Sequence, residues 1–312
     1  MSYRHIPAML KEVVFYLNCR PGIVCADCTI GGCGHARAIC EKIMPGGLFI
    51  GIDQDIDAIT NAEKVLQKYS LKIHLFHGNF IRLPDYLEHI NIDSVDGLLL
   101  DLGVSLHQLE SSGRGFSFKK NEPLDMRMDI RSPRTAENLI NRLAQEDLKK
   151  IFREYGEERW ANRIARNIAS IRRHKRISTS KQLAQIIIDS IPEYAASKQK
   201  IHPATRVFMA LRIAVNQEME KLKTFMEHAA GFLKPGGRLC VLSFHSLEDR
   251  IVKRGLKALE KGCSCPPQLP QCVCGQKPQV RILTKKVVRP TAEEVTANPM
   301  ARSTRLRAAE KI

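Results

Sequence analysis

The chain has 312 residues, 44% of them hydrophobic and 26% charged, the make-up of a globular protein with a core of ordinary size. No apolar run reaches the ~18 residues of a membrane span, and Met1 to Lys11 lacks the long apolar stretch of a signal peptide, so a cytoplasmic protein with no membrane partner is the expectation. A formal charge of +16 and a pI near 9.5 exclude an acidic, self-solvating chain and point to a polyanionic partner.

After His5-Ile6-Pro7, Met9 to Leu17 reads as a short amphipathic helix, and His5 is a candidate for the ligand edge described next. From 23 to 101 the pattern alternates. Strands are predicted near 23–27, 48–52, 72–77 and 95–100, and helices near 36–43, 55–69 and 84–90. Single helices between strands imply a parallel, right-handed, doubly wound α/β sheet.

The first strand runs into Asp27-Cys28-Thr29-Ile30-Gly31-Gly32-Cys33-Gly34-His35 and then a helix. Strand, glycine-rich turn and helix together aim helix N-terminal amides and bare backbone at a ligand. A dinucleotide fingerprint fails here: started at Gly32 it reaches Gly34, but Arg37 stands where the third glycine belongs. No phosphate-binding lysine follows the turn either. An acid, then small residues, then a second acid (Asp53, closing the next strand) suits a ligand with a cationic amino-acid end and a ribose, such as S-adenosylmethionine. In that reading Asp27 lies near the ammonium and Asp53 accepts from the ribose hydroxyls. NAD-like binding and a purely structural turn stay open as alternatives.

The third strand ends in His77-Gly78-Asn79-Phe80, where Phe80 either stacks on a purine or joins the core. The fourth strand ends in Asp101-Leu102-Gly103-Val104-Ser105-Leu106-His107-Gln108, a candidate catalytic edge, unless Asp101 merely caps the next helix. Residues 111–129 form a long loop in which Arg114, between two glycines, is placed to approach phosphate. Phe116 and Phe118 either stack on bases or staple the loop to the core.

Residues 134–200 are helical and polar, with Phe152, Tyr155 and Trp160 as an apolar seam. They read as an inserted all-helical, substrate-recognition subdomain at 131–201, dividing a core made of 1–130 and 202–312. Arg163, Arg166, Arg172, Arg173, Lys175 and Arg176 cluster there, and Arg302, Arg305, Arg307 and Lys311 crowd the end, a pattern that favours nucleic acid. From His202 one long helix is predicted, its stripe running Phe208, Leu211, Val215, Met219, Leu222, Met226, Ala229 and Leu233 up to Pro235-Gly236-Gly237. A strand over 238–244 follows, with His245 at its end and Ser246 and Asp249 as helix cap.

Cys19, Cys25, Cys28, Cys33 and Cys40 read as small core hydrophobes in a reducing compartment. Cys263, Cys265, Cys272 and Cys274 make C-x-C, six residues, C-x-C in a proline-rich loop. Paired thiols favour zinc over disulfides, but the spacing is not the usual C-x-x-C, and no metal is assigned.

Taken together, these pieces resemble the bacterial RsmH (MraW) methyltransferases. The resemblance is carried by His5-Ile6-Pro7, Asp27 to His35, Asp101 to Ser105, Arg114 to Phe118, Pro123 to Asp129, Tyr155 to Arg159, His202 to Arg206, Ser243 to Lys253 and Asn298 to Ser303. It covers essentially the whole chain in order. It implies a Rossmann-like class I methyltransferase sheet. The implied activity is methyl transfer from S-adenosylmethionine to N4 of a cytidine in 16S ribosomal RNA of the small subunit, near the decoding centre. Cofactor positions carry over onto Cys33, Gly34, His35, Asp53, Phe80, Asp101 and Gln108, beside Asp27, Gly31 and Gly32 from the turn itself. The chain departs from the family at Cys33, usually glycine, at Leu106, often serine, and at Met209, usually glutamine.

For such a transfer the base must leave its stack, and a group must draw the N4 proton as the nitrogen becomes tetrahedral. Asp101 is the leading candidate, with Ser105, Asp125 and His245 as further catalytic candidates. Competing expectations are a non-enzymatic RNA-binding ribosome factor, an NAD-dependent oxidoreductase, and methylation of adenine N6 or DNA. The last normally carries an Asp/Ser-Pro-Pro-Tyr/Phe edge that is missing here. Monomer and homodimer are both compatible with the sequence.

Overall fold

The computed structural model describes residues 6–197, 201–263, 265, 271 and 273–312; His5 and Cys272 lie outside that set. The described chain divides into two compact units, 1–103 with 219–312 and 104–218.

The first unit is built on seven strands: β1 Val24–Asp27, β2 Leu48–Asp53, β3 Lys72–His77, β4 Val95–Asp101, β5 Leu233–Ser243, β6 Val280–Ile282 and β7 Arg305–Lys311. They lie in the order β3-β2-β1-β4-β5-β7-β6. Strands β1 to β5 run parallel to one another, and β7 runs antiparallel to β5 and β6. The sheet is doubly wound as expected, and mixed rather than wholly parallel. Strands β6 and β7 have no counterpart among the predicted elements. Their alternating charges read as a basic tail, whereas Leu306, Ala308 and Ala309 are buried in the sheet.

Both faces are covered. Successive strand residues fall into alternate apolar clusters: Ala26, Leu98, Leu100 and Val241 on one face, Cys25, Leu99, Cys240 and Leu242 on the other. The cysteines at 25, 28, 33, 40 and 240 are buried here as small hydrophobes.

The second unit is helical, and no strand is found among its described residues. Its core gathers Leu148, Phe152, Ile164, Ile168, Leu183 and Ile187 from the helices Gln145–Glu154, Ala161–Ile171 and Ser180–Ser190. It also takes in Phe116, Leu124, Met126 and Met128 from the preceding loop, and Phe208, Leu211 and Val215 from Thr205–Asn216. The unit is therefore wider at both ends than the 131–201 read from composition. Apolar residues in the loop and in the next helix close the same core, which a change in charge density does not reveal.

The single long helix expected after His202 is two helices, Thr205–Asn216 and Glu218–His228, followed by the 3-10 turn Ala229–Phe232. The break lies at Gln217, which is left-handed at φ 54°. Asn216 anchors it: its Oδ1 accepts from the Met128 amide at 2.8 Å, and its Nδ2 donates to the carbonyls of Met126 and Arg212. The apolar stripe thus serves two cores. Val207 to Val215 join the helical one, and Leu222 to Ala230 join the sheet's.

The 111–129 loop is stapled rather than open. Arg114 is buried and its Nη1 donates to the carbonyls of Arg127 and Met128 at 3.0 and 3.1 Å, with the guanidinium over the Phe116 ring. Phe118 stacks on His202 at 4.3 Å and meets Phe208 edge-on. Phe116 and Phe118 thus follow the stapling alternative, and Arg114, placed by its sequence to approach phosphate, is held by backbone carbonyls within the loop. Gly115, at φ 70°, lies so close to Pro123 that a Cβ would fall 2.1 Å from its carbonyl oxygen. Replacing Gly115 with alanine is expected to cost about 2 kcal/mol or more through backbone strain and overlap. Urea unfolding checks this: a midpoint unchanged from wild type contradicts the reading.

Candidate active site

Three adjacent parallel strands, β2, β1 and β4, end in Asp53, Asp27 and Asp101 at the carboxyl edge of the sheet, the edge at which open α/β sheets bind ligands. The turn after β1 ties these ends together by short hydrogen bonds. Cys28 N donates to Leu99 O and Ile30 N to Ile52 O, extending the ladders past the last paired residues. Gly31 N donates to Asp53 Oδ2 at 2.9 Å, and Asp101 N donates to Thr29 Oγ1 at 2.6 Å. Each link needs a particular length of turn. Gly31, at φ 45°, supplies the reversal that brings its amide back over β2.

The three acids differ in environment. Asp27 is 1% exposed and accepts from the Thr29 amide at 3.1 Å. Burial pushes it up to about 7, opposed by the charge of His35 and the Thr29 hydrogen bond. Asp27 therefore shapes the turn from beneath. Asp53 is only half-buried. Desolvation raises it to about 6, against the amides of Asp55 and Gly31 that bind its ionised form.

Asp101 is paired with His35, Oδ2 to Nδ1 3.3 Å. On its other side His35 Nε2 lies 2.9 Å from the Ala8 carbonyl. A carbonyl only accepts, so Nε2 carries a proton, and the Nδ1 contact then requires a further proton shared between imidazole and carboxylate. Burial, the largest influence on His35, lowers its pKa. The hydrogen bond and charge of Asp101, with the charge of Asp27, outweigh it and leave the pKa raised. The Asp101 side chain retains 15% exposure. Its Oδ1 is buried without a hydrogen-bond partner. A buried, unpartnered carboxylate oxygen at a strand end is an acceptor left over for something not in the fold.

Around the acids the helix Gly34–Ile43 starts from Cys33, left-handed at φ 64° and fully buried. That conformation is why glycine is the family's habit at this position. A Cβ on Gly34 would come within 2.9 Å of the Pro7 ring, so the N-terminal segment packs directly against the turn. Gly31, Gly32 and Gly34 keep part of their surface open. Phe80, 7% exposed, meets Phe225 edge-to-face at 5.3 Å in the sheet's core.

The remaining candidates are committed elsewhere. In the helical unit, Ser105 caps Leu106–Glu110, its Oγ accepting from Gln108 N while Gln108 Oε1 accepts from Ser105 N. Capping thus falls to Ser105 and not to Asp101. Asp125 is held by Arg127 in a bidentate pair, 2.7 Å at each oxygen. Burial, the largest influence, raises its pKa, but the Arg127 hydrogen bonds more than compensate and hold it below the usual carboxylate range. A carboxylate so held is a weaker proton acceptor than a free one. At the end of β5 the cap of Ser246–Lys261 is His245 with Glu248, not Ser246 with Asp249. His245 Nε2 lies 2.9 Å from Glu248 Oε1, and its Nδ1 accepts from the Glu248 amide at 3.4 Å. His245 thereby caps the helix through Nδ1, while its buried Nε2 makes no hydrogen bond among the described residues. Thr29 and Ala8, which hold Asp101 and His35, escape sequence reasoning, because a hydroxyl in a turn and a backbone carbonyl leave no spacing signal.

A mixed seven-stranded sheet in this order, with an acid at the ends of β1, β2 and β4, defines the class I methyltransferase fold. The MraW methylase family model matches residues 2–312, and the chain belongs to that family. The ribosomal RNA small subunit methyltransferase H of Desulfosudis oleivorans is 54% identical over 100% of both chains, and that of Desulforapulum autotrophicum 51% identical over 100% of both. A solved rRNA methylase from Streptococcus thermophilus aligns at 9% identity and TM-score 0.42 over 97% of this chain and 95% of that one.

The raised native pKa values carry a sign. Asp27 and Asp53 leave 3.8 for about 7 and about 6, and His35 rises above 6.5. Each group holds its proton longer when folded, so its contribution is full at low pH and is lost as pH rises through the native pKa. The stability of wild type relative to Asp27→Asn is therefore expected to fall as pH is raised from the unfolded value of 3.8 through about 7. Denaturant titrations of both proteins across that range check it, and a pH-independent difference contradicts it.

Proposed function

We propose that the protein transfers a methyl group from S-adenosylmethionine to the exocyclic N4 of a cytidine in 16S ribosomal RNA of the small subunit. Membership of the family over the full length supports the reaction. The observation that carries the site is the unpartnered Asp101 Oδ1 beside the turn that joins the three strand ends.

S-adenosylmethionine supplies a methyl already activated by the sulfonium. The chain supplies placement. Asp53, half-buried and ionising at about 6, is the acceptor for ribose hydroxyls. The backbone of Gly31, Gly32 and Gly34 admits close approach, and buried Asp27 and Thr29 hold the turn in that shape. Cytosine N4 is a weak nucleophile because its lone pair is delocalised into the ring. Asp101, oriented by His35 through Oδ2, offers Oδ1 to an N4 proton as the nitrogen becomes tetrahedral. Both His35 and Asp101 thus belong to the proposed machinery, one positioning and one catalytic.

RNA binding is assigned to the helical unit. Arg163, Arg166, Arg173 and Lys175 are exposed, whereas Arg172 donates to the Ile140 carbonyl and Arg176 pairs with Glu137. The basic end of the chain contributes less, since Arg307 pairs with Asp249 and Lys311 donates to the Leu233 carbonyl.

Three outcomes are expected. Mapping nucleosides of 16S RNA by mass spectrometry, with and without the gene, should show N4-methylcytidine lost in the deletion; an unchanged level overturns the assignment. Asp101→Asn should lower methyl transfer by about a hundredfold or more while the fold, read by circular dichroism, is retained; full activity removes Asp101 from the mechanism. Joint replacement of Arg163, Arg166 and Arg173 by alanine should weaken RNA binding and lessen its salt dependence, by roughly 0.7 to 0.9 log units of slope for each phosphate no longer neutralised. S-adenosylmethionine affinity should stay unchanged in that triple variant.

A further inference from the structure

Between the helix Ser246–Lys261 and β6 the chain makes an excursion over 262–279 that the proposed reaction does not use. Its neck is fixed by the fold. Gln279 N donates to Leu259 O at 2.9 Å, and Ile282 N to Glu260 Oε1 at 3.0 Å. Gly262, at φ 69°, lies so close to Lys277 and Pro278 that a Cβ would fall 2.3 to 2.5 Å from their backbone. Beyond that neck nothing apolar holds the excursion among its described residues. Val273 is 79% exposed, and 271 and 275–279 are exposed as well. Apart from Gly262, the described residues that turn inward are Cys263, Cys265 and Cys274.

Their sulfurs all lie within 4.8 Å of one another, and Cys263 Sγ and Cys274 Sγ are 3.7 Å apart. That separation is far beyond a disulfide bond of about 2.05 Å. It is the edge expected of a tetrahedron of thiolates about 2.3 Å from zinc, which comes to about 3.8 Å. We propose that Cys263, Cys265 and Cys274 form a structural zinc(II) site that clamps this excursion. Binding displaces the thiol protons to solvent and leaves three thiolates on one divalent ion, so affinity falls as pH is lowered. The fourth position is left for water or another donor. An excursion of this length without a core is the kind of segment that a metal stabilises in place of apolar burial. The site is separate from Asp53 and Asp101 in sequence and in chemistry.

The test uses the full-length protein, stripped with a chelator under reducing conditions and titrated with zinc(II), and in parallel with cobalt(II). One equivalent should bind, and cobalt should give the intense visible bands and sulfur charge-transfer absorption of tetrahedral thiolate ligation. Cys263→Ser and Cys274→Ser should each lower bound zinc from one equivalent to near zero, while Cys19→Ser retains it. S-adenosylmethionine binding, measured on the same variants, should be unchanged, which separates loss of the clamp from misfolding and from failure of the methyl-transfer reading. Failure of the stripped wild type to take up either metal overturns the proposal. So does a Cys263–Cys274 disulfide in protein purified under reducing conditions, or full metal retention in both serine variants.

Discussion

Everything at the proposed site depends on one short turn being held at both flanks. Thr29 reaches β4 through the Asp101 amide, and Gly31 reaches β2 through the Asp53 carboxylate. These two bonds, with the ladder extensions at Cys28 and Ile30, convert three separate strand ends into a single rigid edge. A backbone loop so fixed costs no reordering when a ligand arrives, which is the condition under which few polar contacts give specificity. Buried Asp27 adds a further tie to the turn. It accepts from the Thr29 amide at 3.1 Å within the same turn.

Concentrating acids at one edge has an electrostatic consequence. Asp27 and Asp53 are raised by desolvation, and His35 is drawn towards protonation by the neighbouring carboxylates. The edge is thus partly neutralised by its own protons, and a cationic ligand would exchange for them. Stability given up by the free protein at higher pH is the counterpart of a site prepared for positive charge.

Division of labour between the two units follows from their composition. The sheet is apolar on both faces and supplies rigid strand ends. The helical unit buries a continuous apolar seam and leaves Arg163, Arg166, Arg173 and Lys175 in solvent. Some basic residues elsewhere are held in ion pairs within the fold. Arg127, Arg307 and Arg238 each have a carboxylate partner in the fold.

Much of this is legible from the amino-acid order alone. Continuous apolar runs locate β1 to β4 within a residue or so and the second half of β5, and the glycine-rich turn between two acid-ended strands marks the edge, because both signals are local. Family membership is legible too, since it rests on blocks such as Pro123 to Asp129 spread along the whole chain. What tertiary structure alone decides is the assignment of each polar side chain between fold and chemistry. Ser105, Gln108, Asp125 and His245 have the residue types of a site, yet each serves a cap or an ion pair with a residue two or three positions away, and Arg114 bonds the carbonyls of Arg127 and Met128, whereas Asp101 is set by Thr29 and His35 from distant parts of the chain. Asp101 keeps one oxygen unspent. Partners far apart in sequence have no spacing pattern, so only the folded chain shows which acceptors remain.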